Sequence, residues 1–282
     1  MSTIIHHYTN IEALALILRN RTLRFNRLDQ VDDPEESNFI SNGVNLGIYT
    51  FVSCWTEAKE ESIPMWKMYT NGKWGVRLSV EKLGLFKTYC DDANFVHNGL
   101  RNIGGANLKF LFPTEVRFKQ SEYIPPHLNE DYDACQFYRK IEYVDDVKSH
   151  ANDSVTIEET PNNQTRMNIR YDRVGRFKNR RWAFQEESRF VLNFLPGNPI
   201  AAFNTSAFNR EQLRFMENIK RNKELGFSHY DMHLSDAAFA NLTITMSPLG
   251  GDPQRVIVEA LCDRYAPGVL VQNSNLMGKL AR

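Results

Sequence analysis

Cysteine is scarce in this sequence, and the few cysteines are far apart. Cys54, Cys90, Cys135 and Cys262 are the four, and no C-x-x-C pair occurs in the 282 residues. This spacing excludes a zinc ribbon and a disulfide framework, and it fits a reducing compartment. The sequence therefore predicts a cytoplasmic protein.

Long apolar runs are absent, and charge of one sign is not in excess. No run approaches the roughly 18 apolar residues of a membrane span, and residues 1–8 lack the charged and then apolar order of a signal peptide. The 34 basic and 34 acidic side chains give a formal net charge of zero. We therefore expect no membrane partner and no tethering to nucleic acid by bulk charge, although a local patch is compatible with this balance.

The motifs of common nucleotide, metal and hydrolase sites are also missing. The sequence has no G-x-G-x-x-G, no Walker A sequence, no H-E-x-x-H and no G-x-S-x-G. His229 and His233 lie on a segment that reads as extended, and no acidic or thiolate third ligand is evident. We therefore expect no metal site.

What is present indicates a mixed α+β protein with a core of ordinary size. Residues 4–8 read as a strand, and residues 11–19 as a helix whose capping box is Thr9 and Glu12. Many short strands and scattered helices follow, without regular βαβ alternation. The other predicted elements are strands at 48–55, 74–80, 110–118, 137–143 and 187–194, helices after Pro64, at 208–225 and after Asp252, and a polar loop at 145–164 that leads into a helix.

His7 is the first of three candidates for chemistry. It lies at the end of a strand and just before a helix N-terminus. Polar side chains and free backbone N–H groups meet ligands at such places. The competing interpretation is a surface His6 beside a buried and hydrogen-bonded His7.

The second candidate is the pair Glu187 and Arg189. In this strand Phe190, Leu192 and Phe194 share one apolar face, so the two charged side chains point the other way. They are then offered to solvent or to a cleft. The competing interpretation is a plain cross-strand ion pair on a solvated face.

The third candidate is a run of basic residues whose spacing predicts four arginines on one side of a helix. Its members are Arg166, Arg170, Arg173, Arg176, Lys178, Arg180 and Arg181. The run is expected to be either a solvated face or a patch that holds phosphate near Glu187.

Five ordered motifs resemble a large bacterial family called domain of unknown function 2971. They are His7-Tyr8-Thr9 before a Leu-rich helix, the loop Asp32-Asp33-Pro34-Glu35-Glu36, Cys54-Trp55-Thr56 at a strand end, Met65-Trp66-Lys67-Met68-Tyr69, and the late set Trp182, Gln185, Glu187 and Arg189. Three positions depart from the family pattern, since Asp32 stands in place of Asn, Thr56 in place of Ser and Gln185 in place of Glu. The match covers residues 1–80 and 179–194 and leaves residues 85–165 unanchored.

The same order of residues is similar to the ADP-ribosyltransferase superfamily. This resemblance implies one α+β domain over residues 1–282, with a split, mostly antiparallel β core flanked by short helices and with insertions or poorly anchored regions at 85–165 and 195–235. It also implies NAD as substrate. His7 would contact the adenosine ribose, Tyr69 would stack on nicotinamide, and Glu187 would stabilise the oxocarbenium-like transition state.

Further roles follow from the resemblance by position. The NAD-binding set would also include Tyr8, Thr9, Thr56, Trp66 and Arg189. Gln185 would orient an acceptor but is no base, which leaves Glu186 or Asp33 as candidates for that proton transfer. Phosphate or nucleic acid would be held by the patch of Arg170, Arg173, Arg176, Lys178, Arg180 and Arg181.

Three hypotheses for function compete at this point. The leading one is a NAD-dependent ADP-ribosyltransferase that modifies a protein or a nucleic acid, as a toxin or defence effector. A second keeps the pocket but uses water or a 2′-phosphate as acceptor, which gives NAD glycohydrolase or RNA 2′-phosphotransferase activity. The third is a non-enzymatic nucleic-acid-binding or interaction module built on the basic patch, with binding that weakens steeply with salt.

Overall fold

The computed structural model describes residues 3–90, 96–97, 100–101, 109–117, 123, 137–159, 165–198 and 208–280. The predicted insertions at 85–165 and 195–235 fall partly outside these ranges. Cys135 also lies outside the described residues.

Short strands and helices alternate irregularly along the described chain, which is the mixed α+β composition that the sequence predicts. The strands are β1 (Ile4–Asn10), β2 (Thr22–Arg27), β3 (Ile40–Ser41), β4 (Val44–Asn45), β5 (Thr50–Thr56), β6 (Gly75–Glu81), β7 (Tyr89–Cys90), β8 (Val96–His97), β9 (Leu100–Arg101), β10 (Lys109–Phe110), β11 (Tyr138–Lys140), β12 (Glu142–Val144), β13 (Val155–Glu159), β14 (Thr165–Ile169), β15 (Phe177–Asn179), β16 (Glu187–Asn193), β17 (His229–His233), β18 (Thr243–Met246) and β19 (Leu270–Gln272). The α-helices are α1 (Ile11–Asn20), α2 (Pro34–Ser37), α3 (Ile63–Tyr69), α4 (Thr114–Arg117), α5 (Val147–Ala151), α6 (Phe208–Lys220), α7 (Asp236–Ala240) and α8 (Asp252–Tyr265).

One sheet dominates the described part of the protein. Its path is β11-β16-β5-β1-β6-β18-β19, and β2 and β17 join it at the side of β5. Neighbouring strands of this sheet run antiparallel, except that β18 and β19 are parallel. The mainly antiparallel sheet flanked by helices is the coarse fold that the sequence predicts.

The sheet divides along one edge of β5. The first half of β5 pairs with β2, at Phe51 and Val52, whereas β1 pairs with β5 only where His6 faces Thr56. Between these contacts β1 and β2 diverge, and no described strand lies beside Cys54 on this edge. A gap of this kind leaves backbone polar groups open to side chains or to ligands.

Apolar burial explains why these strands and α1 form a core. β5 and β6 are rich in β-branched and aromatic residues and are buried almost throughout. α1 turns Ile11, Leu14, Ile17 and Leu18 toward the same core at helical spacing.

β16 shows the alternation that the sequence predicts, but both of its faces are buried. Phe190 and Leu192 pack in the aromatic core. Glu187 and Arg189, on the other face, are only 6% and 1% exposed. The interpretation as an ion pair on a solvated face is therefore wrong, and the two side chains lie in a cleft.

Three predictions in the middle of the chain are wrong. Residues 110–118 are not one strand, because β10 ends at Phe110 and α4 follows. The stretch 145–164 is not simply a loop, since it contains α5 and β13. Residues 166–176 of the basic run form no helix, because β14 pairs with β13 and residues 171–176 are turns. Its arginines are therefore not aligned on one side of a helix.

Two helix starts are shifted by one residue from the predicted positions. Asn10, and not Thr9, caps α1, because its side-chain oxygen accepts a hydrogen bond from the Ala13 N–H at 2.8 Å. Gly251 occupies the cap position of α8, and its N–H donates to Gln254 Oε1 at 3.1 Å. The charged helix α6 and the extended segment of β17 are confirmed, although α6 ends at Lys220.

Candidate functional site

A cavity of about 580 Å³ opens where β1 and β2 diverge. Its volume falls within the roughly 300–1,000 Å³ of small-molecule sites. The walls come from β1, β2, β5, α3, β15, β16 and the segment that follows β2. The lining side chains are His6, His7, Tyr8, Asn26, Gln30, Val31, Asp32, Cys54, Trp55, Met65, Met68, Tyr69, Lys178, Gln185, Glu187 and Arg189.

The three side chains that the resemblance makes catalytic line this one cavity. His7 comes from β1, Tyr69 from the last residue of α3 and Glu187 from the first residue of β16. They are far apart in sequence, so the order of strands in the sheet brings them together. The chemical roles assigned to them stay predictions.

His7 closes the gap that the divergence leaves in the sheet. Its Nδ1 lies 2.8 Å from the carbonyl oxygen of Cys54, and a carbonyl oxygen only accepts, so Nδ1 carries the proton. Burial lowers the pKa of His7 and outweighs this hydrogen bond. The ring is therefore neutral, and its Nε2 keeps a lone pair that can accept a hydrogen bond from a ligand.

Glu187 is held as a carboxylate by two cations. Arg189 Nε donates to its Oε1 at 2.5 Å, and Lys178 Nζ lies 3.2 Å from its Oε2. Desolvation acts to raise the pKa of Glu187, but the charges of Arg189 and Lys178 outweigh it and lower the pKa to about 2.

Arg189 links Glu187 to a second buried carboxylate that the sequence did not single out as a site residue. Its guanidinium donates through Nη1 and Nη2 to Glu36, which is fully buried. Bidentate pairing of this kind fixes the plane of the guanidinium. Arg189 is thus held in place by Glu36, and it in turn orients Glu187 toward the cavity.

Lys178 belongs to this cavity and not to a surface patch. It is 2% exposed, it donates to Gln185 Oε1 at 2.8 Å, and its ammonium lies 4.8 Å from the centroid of the Trp182 ring. Glu36, Glu187, Arg189 and Lys178 together carry no net charge. The floor of the cavity is therefore an electrically balanced cluster.

The hydroxyl of Tyr69 joins two polar side chains at the mouth of the cavity. It donates to Asp32 Oδ2 at 2.8 Å and accepts a hydrogen bond from Gln185 Nε2. Burial and the hydrogen bond to Asp32 raise the pKa of Tyr69, so the phenol stays protonated. The aromatic ring remains part of the cavity wall.

Four other predicted NAD-binding residues lie close to the cavity in supporting positions. Tyr8 lines it, and the Tyr8 hydroxyl accepts from the Ser62 N–H at 3.1 Å. Trp66 is buried against the edge of Tyr8. Thr56 donates to the Glu186 carbonyl at 2.9 Å and so joins β5 to the start of β16. Thr9 is buried and is not among the lining residues.

The two candidates for the acceptor base do not line the cavity. Glu186 is exposed and has a left-handed backbone, with φ of 44°. Asp33 is buried and caps α2 by accepting from the Glu35 N–H at 3.0 Å. Neither carboxylate is placed to take a proton there, whereas the neighbouring Asp32 is a lining residue.

The predicted basic patch is mostly paired with acids. Exposed ion pairs contribute little to stability, but each one balances charge locally. Arg181 is exposed and Lys178 lies in the cavity. The pairs at the surface are Arg170 with Asp172 at 3.4 Å, Arg173 with Asp153 at 4.0 Å, Arg176 with Glu142 at 2.5 Å, and Arg180 with Asp145 at 3.2 Å.

Sequence reasoning missed Asp32, Glu36 and Cys54 as site residues, although all three stand in the motifs quoted above. In the acidic loop the signal that could have separated Asp32 from Asp33 is Pro34, because an Asp directly before Pro is a typical helix cap and this assigns Asp33 to the helix start. The direction of each side chain depends on where α2 begins, and the cap formed by Asp33 sets that start. Only the folded loop therefore shows that Asp32 faces the cavity while Glu36 lies beneath it.

The described residues offer no group of three or more His, Cys, Asp or Glu side chains that could hold a metal ion. Their helices include none that is both long and apolar enough to cross a membrane. In comparisons with known proteins, no family model, no curated protein and no solved structure matches this chain.

Proposed function

We propose that this protein is a NAD-dependent ADP-ribosyltransferase that transfers ADP-ribose to a macromolecule. The observation that carries the proposal is the meeting of His7, Tyr69 and Glu187 in one cavity of small-molecule size. The proposal includes membership of the family called domain of unknown function 2971 and an ADP-ribosyltransferase-like fold. Its support is that all five quoted motifs contribute side chains to the walls of this cavity.

The chemistry of the lining residues suits cleavage of the bond between nicotinamide and ribose. Departure of nicotinamide leaves positive charge on the ribose, and a carboxylate aimed at that charge stabilises the transition state more than the ground state. Glu187 is ionised at neutral pH because its pKa is about 2. Its deep position in the cavity excludes bulk water, which strengthens this electrostatic effect.

The remaining wall offers groups that fit the other parts of NAD. The neutral ring of His7 presents Nε2 as an acceptor for a ribose hydroxyl. The ring of Tyr69 offers an aromatic surface for nicotinamide. Lys178 supplies the one lysine ammonium among the lining residues, and it would attract the pyrophosphate.

The test is transfer from labelled NAD in the presence of cell extract. Glu187→Gln keeps the shape of the side chain and removes its charge, so we expect loss of label by about 100-fold or more, the effect of removing a strong transition-state contact. Glutamine is preferred to alanine because its side-chain oxygen can still accept from Arg189 and Lys178, whereas truncation would remove both acceptors that Glu187 offers these buried cations. Glu12→Gln, the same change on the exposed face of α1, is the control.

Circular dichroism and the melting temperature should show that Glu187→Gln is folded. Label at the wild-type level in a folded Glu187→Gln protein would refute the assignment of Glu187. Nicotinamide release without any labelled macromolecule would instead identify a NAD glycohydrolase. If wild type releases no nicotinamide, the transferase proposal fails.

A further inference from the structure

The cavity contains a second carboxylate whose surroundings differ from those of Glu187. Among the lining residues only Asp32 and Glu187 are carboxylic acids. The side chain of Glu187 is 5% exposed and bonded to two cations, whereas that of Asp32 is 45% exposed and 4.0 Å from Lys178 Nζ. Glu187 therefore lies deep in the cavity with both carboxylate oxygens already bonded to cations. Asp32 lies at the mouth of the cavity, where an acceptor from solution would arrive.

A directed chain of hydrogen bonds ends at Asp32. Lys178 donates to the Gln185 carbonyl oxygen, and the Gln185 amide donates to the Tyr69 oxygen. The Tyr69 hydroxyl then donates to Asp32 Oδ2 at 2.8 Å. Every proton in this chain points away from Lys178, so the last member must be an acceptor, and a carboxylate serves best.

Two polar side chains of different kinds flank this one hydroxyl. Asp32 is a carboxylic acid and Gln185 an amide, and both contact the Tyr69 oxygen. Two carboxylates would repel each other there, and two amides would leave no base.

We infer that Asp32 is the general base that takes the proton from the acceptor. The inference rests on the proposed transferase function. The bond between ribose C1′ and the nicotinamide nitrogen breaks, and its electron pair leaves with neutral nicotinamide. A lone pair on an acceptor oxygen or nitrogen then forms the new bond to C1′. The proton of that O–H or N–H passes to a carboxylate oxygen of Asp32.

Other carboxylates are placed less well for this step. Glu36 is fully buried behind Arg189. The pKa of Glu187 is about 2, because the charges of Arg189 and Lys178 outweigh the effect of its burial, which makes it a poor proton acceptor. Asp33 and Glu186 do not line the cavity. An acceptor that enters past Tyr69 meets Asp32 first.

The test compares Asp32→Asn with wild type, using labelled NAD and cell extract as the source of acceptor. Asparagine still accepts a hydrogen bond from the Tyr69 hydroxyl but takes no proton at working pH. We expect labelled macromolecule per nicotinamide released to fall by about 100-fold, as for loss of a general base, because water takes the ADP-ribose that the acceptor no longer captures. The acidic limb of the pH profile for transfer should disappear as well.

Two further variants serve as a control and as a test of rescue. Asp263→Asn makes the same change at an exposed site on α8 and should behave as wild type. Asp32→Asn combined with Gln185→Glu returns one carboxylate to the Tyr69 hydroxyl, and we expect it to regain transfer and the acidic limb. Asp32→Asn with an unchanged ratio of label to nicotinamide and an unchanged pH profile overturns the inference while the transferase function stands. Absence of both products from wild type overturns the transferase function and the inference with it.

Discussion

Arg189 lies between Glu36 and Glu187 with 1% of its surface exposed. Moving such ions out of water is unfavourable by several kcal/mol each, and their mutual attraction offsets this only with good geometry and full hydrogen bonding. Arg189 meets both conditions through four hydrogen bonds to the two carboxylates. At the scale of single residues, the cluster therefore serves to keep Glu187 charged and fixed beside the cavity.

His6 and His7 make the stability of the protein depend on pH. Burial, together with repulsion by Arg77, lowers the pKa of His6 to about 4, and burial lowers that of His7. Both residues bind protons in the unfolded chain near pH 6.5 but not in the folded chain. The contribution of each to stability is thus complete above pH 6.5 and is lost as the pH falls, for His6 toward about 4.

We therefore expect the free energy of unfolding to decrease between pH 6.5 and about 4. The decrease should be smaller in His6→Gln, which cannot bind the extra proton in the unfolded state. Denaturant unfolding at several pH values measures both slopes. Equal slopes in wild type and His6→Gln would contradict the folded-state pKa of His6.

At the scale of elements, the divergence of β1 and β2 along β5 creates the site. Each residue on that edge of β5 can pair with β1 or with β2 but not with both, so the two strands must separate along β5. The position of Tyr69 beside this gap depends on how α3 packs, because Tyr69 is the last residue of that helix. Contacts between the end of α3 and the start of β6 are therefore expected to control the shape of the cavity.

Gly75 is the closest of these contacts. A Cβ at this position would lie 2.3 Å from Thr70 Oγ1 and 2.4 Å from Thr70 Cβ. Thr70 is short, branched and fully buried, so it cannot move aside without displacing α3. The φ of Gly75 is −77°, so backbone strain plays no part.

Gly75→Ala should therefore destabilise the protein by about 1–3 kcal/mol, the usual result of overpacking. It should also reduce transferase activity, because Tyr69 moves with the end of α3. Denaturant unfolding and the labelling assay measure the two effects. A fully stable and active Gly75→Ala protein would show that α3 does not depend on this contact.

At the scale of the whole molecule, equal numbers of acids and bases conceal an uneven arrangement. The floor of the cavity is balanced within itself, and Asp32 adds a negative charge at its mouth. The basic run that looked like a one-sided patch is spread over β14, turns, β15 and the 3₁₀-helix that follows it, and most of its arginines face acids. This arrangement favours a specific small ligand over broad contact with a polyanion.

Charge reversal of the patch decides between these two kinds of partner. Because Arg170 and Arg173 already face Asp172 and Asp153, Arg170→Glu with Arg173→Glu should leave transfer and any binding to nucleic acid unchanged. Filter binding at several salt concentrations gives the slope of the logarithm of the binding constant against the logarithm of the salt concentration. Loss of about two units from that slope would mean two lost phosphate contacts and would favour the nucleic-acid-binding hypothesis.

Elements with a strong local sequence pattern were predicted correctly, whereas contacts between residues far apart in the sequence were not. The alternation of β16 and the charged helix α6 follow from side-chain periodicity, which neighbouring residues alone decide. The basic run was predicted as a helix because arginines three and four residues apart suit one. The pairing of β14 with β13 overrode that spacing, and only the partner strand could reveal it.

The sequence by itself determined the α+β class and the candidates His7 and Glu187, because these depend on residue type and local spacing, whereas Tyr69 became a candidate only through the family resemblance. The tertiary structure alone decided that these three side chains share a cavity and that Lys178 and Arg189 neutralise Glu187. It also placed Asp32, not Asp33, at the mouth of the cavity. The physical reason is that charge interactions act through space at a few ångströms, and the order of strands in the sheet sets which residues come that close.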